Sequence, residues 1–205
     1  LAAMITDTDT HRKYAIMSFP LIPKYAVLDA SLTYSMPAHL TATTGMDALT
    51  HAVEAYLGRS TTRETRQLAL DATKLIFDNL PQAYENGMEH CAREHMLHAA
   101  YKAGIAFSKS YVGYIHAIAH SLGGKYGTPH GLANAVLMPY VLTQYGKHAH
   151  KKLHRLAIAA GIATEKDTSM TGALKFINAI KELNTQMNIP CKLTGIKKED
   201  IPTMA

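Results

Sequence analysis

Tryptophan is absent from this 205-residue chain, and cysteine nearly so. The two cysteines, Cys91 and Cys191, stand far apart in sequence. They make neither a disulfide scaffold nor a CxxC metal knuckle, which points to a reducing compartment, the cytoplasm. No apolar run reaches the ~18 residues of a membrane span, and no secretory signal is visible, so no membrane partner is expected. Concentrated charge is missing as well. Lys and Arg number 21 against 16 Asp and Glu, a net charge of +5. That excess is spread thinly, in short clusters such as Lys151, Lys152 and Arg155, or Lys197 and Lys198. A nucleic-acid binder gathers its bases into a stripe interleaved with aromatics, and none is present. Glycine-rich, collagen-like and coiled-coil chains are excluded, and there is no fixed-period repeat. What remains is 47% apolar and 18% charged, the composition of a globular domain. The unusual count is histidine, at twelve.

Residues 1–38 hold the only strand-like pieces. Met4 to Asp7 reads as the tail of a strand, and Tyr14–Ser18 and Tyr25–Asp29 are short apolar runs punctuated by Pro20 and Pro23. From about His39 the period changes. Met46, Leu49, Val53, Tyr56 and Leu57 recur at three- and four-residue spacing, the mark of a helix with one buried face. Further helices are expected over 61–79, 88–107, 110–122, 131–145, 148–160 and 171–187. Gly87, Gly123–Gly124, Gly146 and Gly161 mark the breaks. Pro81 falls just past the second stretch or in the first turn of a short helix. The Lys197–Pro202 segment reads as another helix start, with Asp200 as cap. The ends read as cut, so the chain is expected to be a fragment of a longer polypeptide.

Asp47 and His51 lie one helical turn apart, so both side chains leave the same face. His116 and His120 repeat that spacing on an otherwise apolar helix. A buried imidazole without a partner costs about 1–3 kcal/mol, so this pair demands an explanation. His130 follows in the turn Gly127-Thr128-Pro129-His130-Gly131, where a loop can return it beside His116. One Asp with three or four His makes an oxygen–nitrogen site without sulfur, suited to Fe²⁺, Zn²⁺ or Mn²⁺. Cys91, His95 and His98 share another helix face but lack the further cysteines of a thiolate site. His148, His150 and His154, among lysines and Arg155, read as a solvated basic face. Glu54 shares the helix of Asp47 and His51 and reads equally as a salt-bridge partner or a catalytic group.

Taken together, Ile5-Thr6-Asp7, Pro37, the run Thr41 to Glu54 (TATTGMDALTHAVE), His116 to Gly124 (HAIAHSLGG) and Thr128 to Ala135 (TPHGLANA) resemble the iron-containing (group III) alcohol dehydrogenase family. The resemblance covers nearly the whole chain, with motifs in the family's order and separation. It implies a mainly α fold, a dehydroquinate synthase-like helical bundle, preceded by a short β-containing remnant of a dinucleotide-binding domain. The expected division is 1–38 for the remnant and 39–205 for the metal-binding domain, truncated at its C-terminus. The resemblance further implies that Asp47, His51, His116 and His130 ligate the metal, Fe²⁺ first and Zn²⁺ or Mn²⁺ as alternatives. His120 would relay the proton, and Lys13, His120 and His130 would face NAD or NADP. The implied reaction interconverts a primary alcohol and an aldehyde by hydride transfer.

One departure is large. The family's Gly-Gly-Gly-Ser phosphate loop does not occur in this sequence. The chain alone is therefore expected to keep its metal ligands, to bind NAD(P) poorly and to be inactive. Apolar surface left uncovered would favour a homo-oligomer. Two other readings compete. A helical metal-dependent phosphohydrolase of the HD type also uses His and Asp on helices, but its adjacent His-Asp pair is absent. A non-enzymatic helical module would simply satisfy its histidines by hydrogen bonds.

Overall fold

A computed structural model describes residues 2–9 and 12–204. Strands β1 (Ala2–Asp7) and β2 (Arg12–Met17) pair antiparallel, with Ala2 opposite Met17 and Asp7 opposite Arg12. The Asp7 carboxylate accepts from the Asp9 amide at 2.9 Å, a turn closed by an aspartate side chain. The apolar run Tyr25–Asp29, read as a strand, is irregular instead. Pro20 and Pro23 precede it, and Tyr25 and Val27 are 88% and 92% exposed. With no strand among the described residues beside it to pair with, local β propensity does not make a strand.

Seven long helices follow: α1 (Ala38–Leu57), α2 (Arg63–Glu85), α3 (His90–Ser110), α4 (Tyr114–Tyr126), α5 (His130–Tyr145), α6 (His150–Ala159) and α7 (Ser169–Gln186). A last helical turn, α8, spans Ile201–Met204 directly after Asp200, as the Lys197–Pro202 reading anticipates. The starts of α2, α3 and α7 carry side-chain caps. Thr62 and Thr65 form a reciprocal capping box at α2, and Thr168 caps α7 through the Thr171 amide.

Two expected breaks are corrected. Pro81 lies inside α2, which runs on to Glu85. Leu80 and Ala83 on either side of it are fully buried, and their packing outweighs the lost backbone bond. Gly123–Gly124 do not end α4. The helix continues to Tyr126 and stops at Gly127, whose φ of 65° is left-handed. A second proline, Pro139, sits within α5 and cannot donate to the Ala135 carbonyl one turn back. The buried Asn184 of α7 donates its side-chain amide to that carbonyl at 2.8 Å instead.

α1 lies at the centre, touching α2, α3, α4, α5 and α6. Its Met46, Leu49 and Val53 are fully buried, as their spacing predicts. The basic-face reading of these histidines holds for His148, which is exposed just before α6, but not for His154, which is buried within it. His154 shares the inward face with Leu153 and Leu156–Ala157, and its Nε2 pairs with the Thr164 carbonyl at 3.0 Å. Its ring lies over Gly172 of α7, where an added Cβ would stand 2.1 Å from ring carbon Cδ2. Gly172→Ala is therefore expected to destabilise the fold by about 1–3 kcal/mol, as overpacking does. A urea melt checks it, and metal uptake should not change.

Candidate metal centre

Three helices bring their polar side chains to one point. α1 supplies Asp47, His51 and Glu54, which share one face at i, i+4 and i+7. α4 supplies His116 and His120, and α5 supplies His130 and Asn134. His116 Nε2 stands 3.6 Å from Asp47 Oδ1, His130 Nε2 3.5 Å from the same oxygen, and His51 Nδ1 4.0 Å from Asp47 Oδ2. The His51 and His116 rings stack at 4.3 Å, and His51 also stacks on Phe107 at 4.3 Å. The His120 ring lies 5.0 Å from His130 and 6.1 Å from His116.

These nitrogen–oxygen separations are too long for hydrogen bonds. They match donors that share an ion, since two atoms each about 2.1 Å from a tetrahedral metal are about 3.4 Å apart. Asp47, His51 and His116 each offer an atom within 4.8 Å of the others', the one such group of three among the described residues. His116 Nε2 is buried without a hydrogen-bond partner, as a ligand atom facing a metal would be. The donor set and this orphaned nitrogen fit a divalent ion.

The family model described as "Fe-containing alcohol dehydrogenase family, C-terminal" matches residues 41–205. The chain belongs to the iron-containing alcohol dehydrogenase family. The 1,3-propanediol dehydrogenase of Citrobacter freundii is 42% identical over 98% of this chain and 53% of its own length. The NAD-dependent methanol dehydrogenase of Bacillus methanolicus is 37% identical over 99% and 54%. A crystal structure of 1,3-propanediol oxidoreductase superposes with a TM-score of 0.94 at 40% identity, covering 99% of this chain and 54% of that one. The chain thus spans about half the length of the relatives it matches. The mainly helical fold is that of the iron-containing alcohol dehydrogenases, and the phosphohydrolase reading loses its support.

Of the other candidates, His95 pairs with Asn79 at 2.9 Å and His98 sits 4.0 Å from Glu94, so neither joins Cys91 in a thiolate site. Both cysteines are free and exposed. The backbone of Lys13 lies in β2 opposite Thr6, and its side chain falls outside the described residues. No helix of the described residues is long and apolar enough to cross a membrane.

Sequence reasoning missed Asn134 and left Glu54 open. Asn134 is buried, and its amide lies 2.5 Å from Asp47 Oδ1 and 3.1 Å from His130 Nε2. Its place one turn after His130 was the available signal. Glu54 accepts from the Gly113 and Ile115 amides and faces His116 Nδ1, each at 2.7 Å. It is the non-catalytic alternative, an ionic partner, that the structure supports.

The electrostatics put Asp47 and His51 in metal-binding forms. Burial raises the Asp47 pKa, but His116, His51, His130 and Asn134 outweigh it and hold the carboxyl at about 2. Burial, against the attraction of Asp47, brings His51 down to about 4, so it is neutral at pH 7 with a lone pair to give. His116 is pulled down by burial, yet Asp47 and Glu54 raise it overall. The two histidines oppose each other in stability. His51 is depressed from 6.5, so the unfolded chain binds more protons between about pH 4 and 6.5, and stability falls as pH drops through that window. His116 is raised, so its contribution is present below pH 6.5 and lost as pH rises through its folded value. From these two groups, the metal-free chain is expected to be most stable near pH 6.5, losing up to about 3 kcal/mol toward pH 4. Urea melts across pH check this, and bound metal should abolish the alkaline loss.

Proposed function

We propose that this chain is the metal- and substrate-binding half of an oxidoreductase that interconverts a primary alcohol and an aldehyde, exchanging hydride with NAD(P). The observation that carries the reading is the convergence of His51, His116 and His130 on the Asp47 carboxylate from three helices. Residues 39–205 form the metal-binding domain, and 1–38 belong to the cofactor-binding part. In this reading Asp47, His51, His116 and His130 hold the ion, Fe²⁺ first and Zn²⁺ or Mn²⁺ as alternatives. The ion supplies Lewis acidity toward the substrate oxygen.

The chain's own residues do the rest. Asp47, ionised, would offset the charge of the ion, and His51 and His116, whose rings stack on each other, would hold it through ring nitrogens. His120 carries the proton between the substrate hydroxyl and solvent. Its partial exposure and its ring contact with His130 support that role. Lys13, His120 and His130 would contact the nicotinamide cofactor. The Citrobacter and Bacillus relatives, named for 1,3-propanediol and methanol, support short primary alcohols as substrates. Exposed Tyr25, Val27 and Leu32 support a covered face, and a homo-oligomer is the assembly we propose.

The test is NAD(P)H formation from methanol, 1-propanol and 1,3-propanediol by the natural full-length polypeptide loaded with Fe²⁺. Alcohol-dependent reduction that disappears in His116→Ala supports the reading. Turnover unaffected by chelation and by His116→Ala overturns it.

A further inference from the structure

We infer that Glu54 is a positioning residue for the metal centre, holding the His116 ring in the one tautomer and orientation that turns Nε2 toward Asp47. The inference rests on the metal-centre reading above.

The Glu54 side chain is 1% exposed, and no Lys or Arg ion-pairs with it among the described residues. A carboxylate so placed is costly unless its oxygens are fully hydrogen-bonded. Its partners meet that need. Oε1 accepts from the Ile115 amide and Oε2 from the Gly113 amide. These amides stand at the N-terminal end of α4, where no carbonyl of the helix can serve them and the helix dipole favours a negative charge. The cradle is tight: a Cβ on Gly113 would lie 2.8 Å from Oε1. The carboxylate is thus anchored by the backbone, independently of the imidazole.

Its remaining contact is Oε2 to His116 Nδ1 at 2.7 Å. An ionised carboxylate can only accept, so Nδ1 carries the hydrogen. In the neutral ring the lone pair is then left on Nε2. That nitrogen is buried, has no hydrogen-bond partner and stands 3.6 Å from Asp47 Oδ1. Glu54 lies on α1, the helix that also carries Asp47 and His51. One rigid element therefore provides two ligand candidates and sets the third, on α4, through its partner atom.

Two readouts test this. In the metal-free chain with ¹⁵N-labelled histidine, NMR at a pH where the His116 ring is neutral should show the Nδ1–H tautomer. Glu54→Gln offers one oxygen where the carboxylate offers two, so the Nε2–H form should appear. Zn²⁺ affinity, measured by competition with a chromophoric chelator, should fall roughly 10–100-fold in Glu54→Gln. A wild-type ring in the Nε2–H form overturns the inference, and that measurement stands even if the variant does not fold. A folded Glu54→Gln chain with unchanged Zn²⁺ affinity also overturns it, while the metal-centre reading survives. A wild-type chain that takes up no Zn²⁺ overturns both.

Discussion

Asp47→Ala is expected to abolish stoichiometric metal binding. The carboxylate is the atom group on which His51, His116 and His130 converge, at 3.5 to 4.0 Å. Without it the remaining donors are three imidazoles with no negative charge to offset a divalent ion. The loss of affinity should exceed the roughly 10–100-fold that removal of an outer partner costs. The metal-free fold responds too, with a sign fixed by the Asp47 pKa of about 2. A depressed carboxylate adds stability above its ordinary value of 3.8 and loses it as pH falls toward 2. At pH 7 the variant therefore lacks that contribution, about 2 kcal/mol. Metal titration and a urea melt on the same preparation read both effects.

Gly131→Ala is expected to damage fold and centre together. A Cβ at Gly131 would lie 2.5 Å from the Thr43 carbonyl oxygen, a backbone atom of α1. No side chain can rotate away, so α5 must move off α1. The expected cost is about 1–3 kcal/mol, or about 2–4 °C of Tm for each kcal/mol in a chain this size. Gly131 adjoins His130, so the displacement also draws Nε2 of that residue away from Asp47. Metal affinity should fall with stability. Gly172→Ala is the control, since its clash with His154 lies between α6 and α7. It should cost similar stability and leave metal uptake alone.

The helices were legible because each carries its apolar residues at helical spacing, as Met46, Leu49 and Val53 do in α1. The pairs Asp47/His51 and His116/His120 were legible for the same geometric reason. Where the reading failed, the deciding contact was distant in sequence. His154 looks solvated among lysines, and only the packing of α7 against α6 buries it. Glu54 can be placed only once α4 is seen to start at its carboxylate. Asn134 is one turn past His130, but nothing local says that its amide meets Asp47. Gly123–Gly124 read as the break, yet it is Gly127, four residues after Gly123, that takes the left-handed backbone ending the helix. Tyr25–Asp29 has strand propensity without a strand to pair with.

The proposed centre holds a single ion through side chains from three helices. The most direct measurement is anomalous X-ray diffraction at the metal edge from crystals of the chain grown with Fe²⁺ or Zn²⁺. One peak per chain, bounded by Asp47, His51, His116 and His130, is the predicted result. No peak there, or a peak only at the exposed His90, Glu94 and His98 face, would contradict it.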